Sequence, residues 1–395
     1  MKGLLAVIAA LVALISVAPQ TAKAEYLEYA FPAASFTTES GAAQSEGEYA
    51  AQTAAITALL SRAEELFNPA LATSDVARVN AAAAGESVAV DPLTFRLFQA
   101  AQSAYFATEG AFNPALYPLT KLWGFSSDNA ANYRTPRPAP SAEQIAALLS
   151  YTDFSAVTLN AQTHTVTKPQ TEMMLDFGGI AKGFLLDEIT AAFPSGANAL
   201  LSIMSSIALL GSKYDGASFR PYAIAVTDPR KAENVALVLS AKNAYLSTSG
   251  DYERYYIYKN KRYSHVLNAQ TGAPAAFGVM SATAVASSGA LSDALSTALC
   301  TLPLRKGKAL CEKLGASAAV ICENYEYYLF GGLTAEKSSE VSSAYTCPYR
   351  IGTDLPETVV PYRPQKSYGK QIAVAAVVLL GVALVLVTFY KRKSL

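Results

Sequence analysis

Three short stretches carry side chains able to do chemistry. The first is Leu175-Asp176-Phe177-Gly178-Gly179-Ile180-Ala181-Lys182-Gly183, directly ahead of a helical pattern. Glycines at a helix entrance let the backbone approach a ligand, and helix-start N–H groups favour anions. Lys182 adds a positive charge. The spacing is neither GxxxxGK[ST] nor GxGxxG, so a tight structural turn is the alternative for this stretch taken alone. The second is Ser292-Asp293-Ala294-Leu295-Ser296-Thr297. Asp293 and Thr297 lie four apart, so their oxygens share one helix face. Two hard oxygens plus a neighbouring carbonyl suit Mg²⁺, which keeps waters or substrate phosphates in its shell. The same pairing also occurs on ordinary solvated helices. The third is His265, at the end of the apolar run Arg262-Tyr263-Ser264-His265-Val266-Leu267-Asn268. An imidazole there suits a general base near neutral pH, with a hydrogen-bonded structural histidine as the alternative. The other histidine, His164, sits in a polar stretch and reads as a surface residue. No GxSxG, HExxH or paired-carboxylate pattern accompanies these stretches.

The elements that must position them are mixed. Tyr49 to Phe67 has helical periodicity. Asp91 as N-cap and Pro92 at the first position open a second helix. Ser141 with Gln144 reads as a capping box. Ile180 to Phe193 is a helix stopped by Pro194, and Ala290 to Leu302 and Arg305 to Leu314 are two more. Strand patterns cover Val157–Val166, Pro221–Val226, Val235–Leu239, Val279–Ala286, Ala318–Ile321 and Tyr325–Phe330. Tyr255–Tyr258 and Arg262–Leu267 flank Lys259-Asn260-Lys261 as a hairpin, with the Tyr252–Tyr258 patch read as packed strand. Without strict βαβ alternation the class is α+β: mixed sheets with packed helices. Residues 25–48 look irregular, and Ala335 to Lys370 reads as a stalk.

Across 395 residues the hydrophobic fraction is 51% and the charged fraction 16%, which excludes a disordered chain. Lys+Arg and Asp+Glu both count 31, so no bulk positive field attracts nucleic acid. Lys2, the apolar run Leu4–Ala18 and Ala22-Lys23-Ala24 read as a signal peptide over 1–24. Residues 371–390 are uncharged and long enough to span a bilayer, and Lys391, Arg392 and Lys393 follow. Positive charge stays inside, so 391–395 is expected as a cytoplasmic tail and the body as extracytoplasmic at the cell membrane. Without the two ends the body is acidic by five charges. For Cys300, Cys311, Cys322 and Cys347, a Cys311–Cys322 bridge and buried thiols both stay open, while the spacing argues against zinc.

Together the stretches resemble the FAD:protein FMN transferase (ApbE) family. The resemblance also takes in "SDVARVN" (Ser74 to Asn80), "GAFNPALYPLTKLWGF" (Gly110 to Phe125), "TSGDYERYY" (Thr248 to Tyr256) and "RYSHVLNAQTG" (Arg262 to Gly272), in family order. It implies an ApbE-like fold over 25–334 and transfer of FMN from FAD to a Thr or Ser hydroxyl of an extracytoplasmic flavoprotein acceptor, with Mg²⁺, releasing AMP. By position it implies His265 as catalytic residue. Asp176, Lys182, Ala111, Phe112, Asn113 and Val266 become FAD contacts, and Asp293, Thr297 and the Gly179 carbonyl become metal ligands. The same residues would also serve an FAD pyrophosphatase yielding FMN and AMP, or a flavin-binding tethered module without turnover. This chain departs from the pattern at four places. Met204-Ser205-Ser206 stands for a usual Gly-Gly-Asn/Asp, Asn113 for Asp, and Asn268-Ala269 for Asp-Pro. Ala70 is nearest to where an aromatic is usual.

Overall fold

The structure is a computed structural model. It describes residues 51–357 except 127–128, 130–131, 215–217 and 338–346, with Val359 and the backbone of 46–50 and of strands Tyr26–Ala30 and Ser35–Glu39. The expected signal peptide, the 371–390 span and the 391–395 tail lie outside the described residues. Among the described residues no helix is long and apolar enough to cross a membrane. The chain divides into units 1–360 and 361–395, and the first alone is described below.

A nine-stranded sheet organises that unit. Its strands are β1 (Tyr26–Ala30), β2 (Ser35–Glu39), β3 (Asn198–Ile203), β4 (Ser206–Leu210), β5 (Ala244–Gly250), β6 (Val279–Ala286), β7 (Ser317–Cys322), β8 (Glu326–Phe330) and β9 (Arg350–Ile351). They lie side by side in that order. Every pairing is antiparallel except β8 with β9. The segment read as irregular therefore supplies two edge strands.

The eight helices of the described residues are α1 (Glu46–Phe67), α2 (Asp75–Ala81), α3 (Pro92–Ala107), α4 (Tyr117–Trp123), α5 (Ala142–Leu149), α6 (Ala181–Thr190), α7 (Gly289–Thr301) and α8 (Leu304–Leu314). The expected caps are present. The Asp91 carboxylate accepts from Leu93 N at 2.8 Å, and Ser141 and Gln144 satisfy each other's backbone N–H groups. Helices cover one face of the sheet. Phe98 and Ala101 of α3, Phe184 and Leu185 of α6, and Ala294, Leu295 and Ala298 of α7 pack with Ala282 and Ala284 of β6 and Val320 of β7. On the opposite face a small antiparallel sheet, Tyr222–Asp228, Lys231–Ala241 and Ala335–Lys337, packs Ile224, Val226 and Leu237 against Leu209, Leu246, Ala319 and Ile321. β7 is thus buried on both sides, and its unbroken apolar run reflects that.

Three sequence expectations change, and one alternative left open is decided. The alternating stretch at Val157–Val166 is two short strands, Thr158–Asn160 and Thr165–Thr167. The Lys259-Asn260-Lys261 turn is one residue shorter, because Lys261 pairs with Tyr258, leaving Lys259 and Asn260 both at positive φ as a two-residue hairpin requires. The segment read as stalk from 335 begins inside the body: Ala335–Lys337 completes the small sheet, Arg350–Ile351 joins the main one, and Tyr349 is 1% exposed. Its Ser, Pro and Tyr content hid strands too short to show a period. All four cysteines are buried free thiols, so no Cys311–Cys322 bridge exists.

Candidate active site

A cavity of about 400 Å³ opens where the α6 and α7 N-terminal halves meet the ends of β3 to β5. The residues to which the resemblance gave a catalytic, FAD or metal role all line it: His265, Asp176, Lys182, Ala111, Phe112, Asn113, Val266, Gly179, Asp293 and Thr297.

Close packing of two helices builds its floor. A Cβ on Gly183 of α6 would meet the Gly289 carbonyl oxygen of α7 at 2.0 Å, so only glycine permits the approach. The approach lets Gly183 N donate to Asp293 Oδ2 at 3.1 Å. Asp187 of α6 fixes the start of α7, accepting from Gly289 N at 2.6 Å and Ala290 N at 2.9 Å. Burial pushes the Asp187 carboxyl above its usual range, against those two N–H groups.

Asp293 is buried, and Lys182 Nζ lies 3.2 Å from its Oδ2. Thr297 stands one turn on, with Oγ1 3.1 Å from Ser249 Oγ of β5. Gly179 is beside it: a Cβ there would lie 3.5 Å from Thr297 Oγ1 and 3.3 Å from the Phe112 ring. Carboxylate, hydroxyl and neighbouring glycine backbone are hard oxygen donors. Among the described residues no cluster of three or more His, Cys, Asp or Glu forms a protein-only metal cage. The donor set fits a cation that completes its shell with phosphate oxygens or water.

The glycine loop is clamped from a distance. Asn80 donates Nδ2 to Leu175 O at 2.9 Å and accepts from Leu175 N at 2.7 Å. Lys168, 1% exposed, donates to the carbonyls of Asn80, Thr171 and Met173. Asp176 Oδ1 accepts from Gly178 N at 2.7 Å. Burial raises its carboxyl above the usual range, opposed by that N–H and by the charges of Arg254 and Lys182.

His265 is held by one carbonyl. Its backbone N and its Nδ1 both donate to Arg254 O, at 3.0 and 3.2 Å. A carbonyl only accepts, so the neutral ring carries its proton on Nδ1 and its lone pair on Nε2. Burial first, then the positive charges of Arg254 and Lys182, lower its pKa to about 4. A small aromatic core supports this hairpin: Tyr256 stacks between Phe125 and Tyr263, and Trp123 Nε1 donates to Gly272 O at 2.8 Å.

Arg254, Ser205, Thr248, Ser249 and Glu253 also line the cavity, and sequence reasoning gave them no role. Ser247 and Ser249 alternate onto the α7 side of β5. There they pair with Ser292 and with Ser296 and Thr297, a hydroxyl ladder that fixes the helix face. Alternating Ser247 and Ser249 opposite Ser292 and Ser296, four apart, were the available signal.

The departures now have places. Asn113 Nδ2 donates to Thr152 O at 2.8 Å and its Oδ1 accepts from Ala115 N at 2.9 Å, so the amide holds a turn in a way an aspartate could not. Asn268 lies outside this cavity and caps its own turn, accepting from Gln270 N and Thr271 N at 3.0 Å each. Met204 lines the mouth at φ +54°, 71% exposed.

The ApbE family profile matches residues 33–321. The FAD:protein FMN transferase of Treponema pallidum is 34% identical over 64% of this chain and 71% of its own length. That of Rhodobacter capsulatus is 30% identical over 75% and 55%, and that of Klebsiella pneumoniae 30% over 69% and 82%. The ApbE crystal structure from Thermotoga maritima superposes with a TM-score of 0.65 at 29% identity, covering 80% of this chain and 98% of that one. The apo flavinyl transferase ApbE of Pseudomonas stutzeri gives 0.63 at 26%, covering 82% and 98%. Fold and cavity thus define a transferase enzyme of the flavin transferase class. The chain belongs to the ApbE family.

Proposed function

We propose that this chain transfers FMN from FAD to a threonine or serine hydroxyl of an extracytoplasmic acceptor protein, releasing AMP. The observation that carries the reading is the meeting of His265, Asp293, Thr297 and Lys182 in one cavity beside the Gly178-Gly179 loop. Asp293, Thr297 and the Gly179 carbonyl would hold Mg²⁺, which supplies charge neutralisation at a pyrophosphate. Lys182 and the loop N–H groups bind phosphate oxygens. Ala111, Phe112, Asn113, Asp176 and Val266 line the space for the remainder of FAD. His265 Nε2 takes the proton of the attacking hydroxyl. A new P–O bond forms to the FMN phosphorus, the pyrophosphate P–O bond breaks, and AMP leaves with that electron pair.

Export through residues 1–24 and tethering by 371–390 place the reaction outside the cytoplasmic membrane in this proposal. Its test is a mass spectrum of exported proteins from cells with and without the chain. FMN-bearing peptides present only with the chain support transfer; identical flavin-bearing peptides in both contradict it.

A further inference from the structure

A second cavity, about 460 Å³, adjoins the first, and Met204, Ser205, Thr248 and Glu253 line both. One wall is main sheet, with Ile207 of β4, Leu246 and Thr248 of β5 and Thr283 of β6. The other is four consecutive residues of the small sheet, Ile224, Ala225, Val226 and Thr227. Successive strand residues point to opposite faces, so four in a row form a wall only where the strand presents its backbone edge. Tyr222–Asp228 is the outer strand of its sheet and pairs on one side only among the described residues. Ile224 and Val226 are buried in the core, whereas Ala225 is exposed. The result is a trough of mixed polarity, with Arg134 and Glu253 beside Ile207 and Leu246, and a strand edge of about 10–13 Å along Ile224–Thr227 leading into the site.

We propose that this trough receives the acceptor: an extended, hydroxyl-bearing segment of the acceptor protein adds to the Ile224–Thr227 edge and presents its hydroxyl past Thr248 and Glu253. The proposal rests on the transferase reading above and adds where the second substrate lies. Strand addition supplies main-chain hydrogen bonds whatever the side chains, and the facing wall selects the alternate ones. Continuity commits the trough to this occupant, because the reaction needs two substrates side by side and the cavities share four residues. A third cavity, near Asn268, Ala269 and Lys306, shares only Ala111 with the site and is the competing route.

The test uses the full chain with FAD, Mg²⁺ and a pool of unstructured peptides, each with one threonine as its sole hydroxyl. FMN-bearing peptide is read by mass, and FAD binding by flavin fluorescence. Ala225→Trp, on an exposed position, and Thr227→Arg are each expected to lower kcat/KM for peptide at least tenfold with FAD affinity unchanged. Ala269→Trp should leave both unchanged. Unimpaired transfer by both trough variants, or loss in Ala269→Trp alone, overturns the proposal. Labelling of exported proteins from the chain's own cell but of no peptide overturns the extended-segment docking and leaves the transferase reading standing. Labelling of neither overturns the transferase reading, and the docking proposal with it.

Discussion

The Lys182 ammonium lies 3.2 Å from Oδ2 and 3.3 Å from Oδ1 of the buried Asp293 carboxylate. A lysine thus already holds the carboxylate assigned to a metal. In the proposed reading a bound Mg²⁺ would compete with the lysine for this charge and leave Lys182 available to phosphate oxygens. Lys182→Met should lower stability by about 1–3 kcal/mol, because it leaves a buried charge with fewer partners. It should also tighten Mg²⁺ about tenfold without flavin and weaken FAD. Calorimetric titration with each ligand checks this; unchanged or weaker Mg²⁺ binding refutes the competition.

His265 should stay neutral to about pH 4 in the flavin-free protein. The unfolded chain takes up this proton near the ordinary value of about 6.5. Between about 6.5 and 4 the unfolded state therefore binds more protons, and stability falls as pH drops through that window. Replacing the ring by His265→Gln removes this contribution to the slope. With only two histidines in the chain, the ring can be followed by NMR and assigned by comparison with the variant. Titration near 6.5 contradicts the half-buried, cation-flanked environment.

Gly183→Ala should cost at least about 1–3 kcal/mol, since its methyl meets backbone rather than a flexible side chain. The α6–α7 crossing must open, moving Asp293 away from the loop. Chemical denaturation measures the loss. A variant as stable as the parent shows that the crossing tolerates more than its geometry allows.

Met204→Gly should raise stability by about 1 kcal/mol, because φ +54° strains any residue with a Cβ. The resemblance leads to an expectation of glycine at this turn, and glycine would adopt this backbone conformation without strain. Thermal unfolding reads the change; destabilisation would mean that contacts of the exposed methionine outweigh the strain.

Much of the site was legible because its chemistry is local. Asp293 and Thr297 announce a shared helix face by spacing, and Gly178-Gly179 announces a loop where backbone must approach. The resemblance then tied these stretches to His265, over distances no spacing rule spans. The same logic explains what stayed hidden. Asp187 meets Gly289 and Ala290 across about a hundred residues, and Arg254 matters to His265 through a backbone carbonyl that any residue could supply. β1, β2 and β9 lie at the two ends of the sheet and are held by pairing with their neighbours, so their own sequences need no strong period. Asn113 and Asn268 read as departures at the site, yet both amides hold turns.

In the proposed reading one cavity carries binding, metal and base together. The decisive measurement incubates purified chain with FAD, Mg²⁺ and acceptor, and compares AMP released with FMN gained by the acceptor. The account predicts equal amounts for the parent, a loss of about 10²–10⁴-fold in His265→Gln with FAD still bound, and a loss of about 10²–10³-fold or more in Asp293→Asn. Transfer at the parent rate by either variant would contradict it.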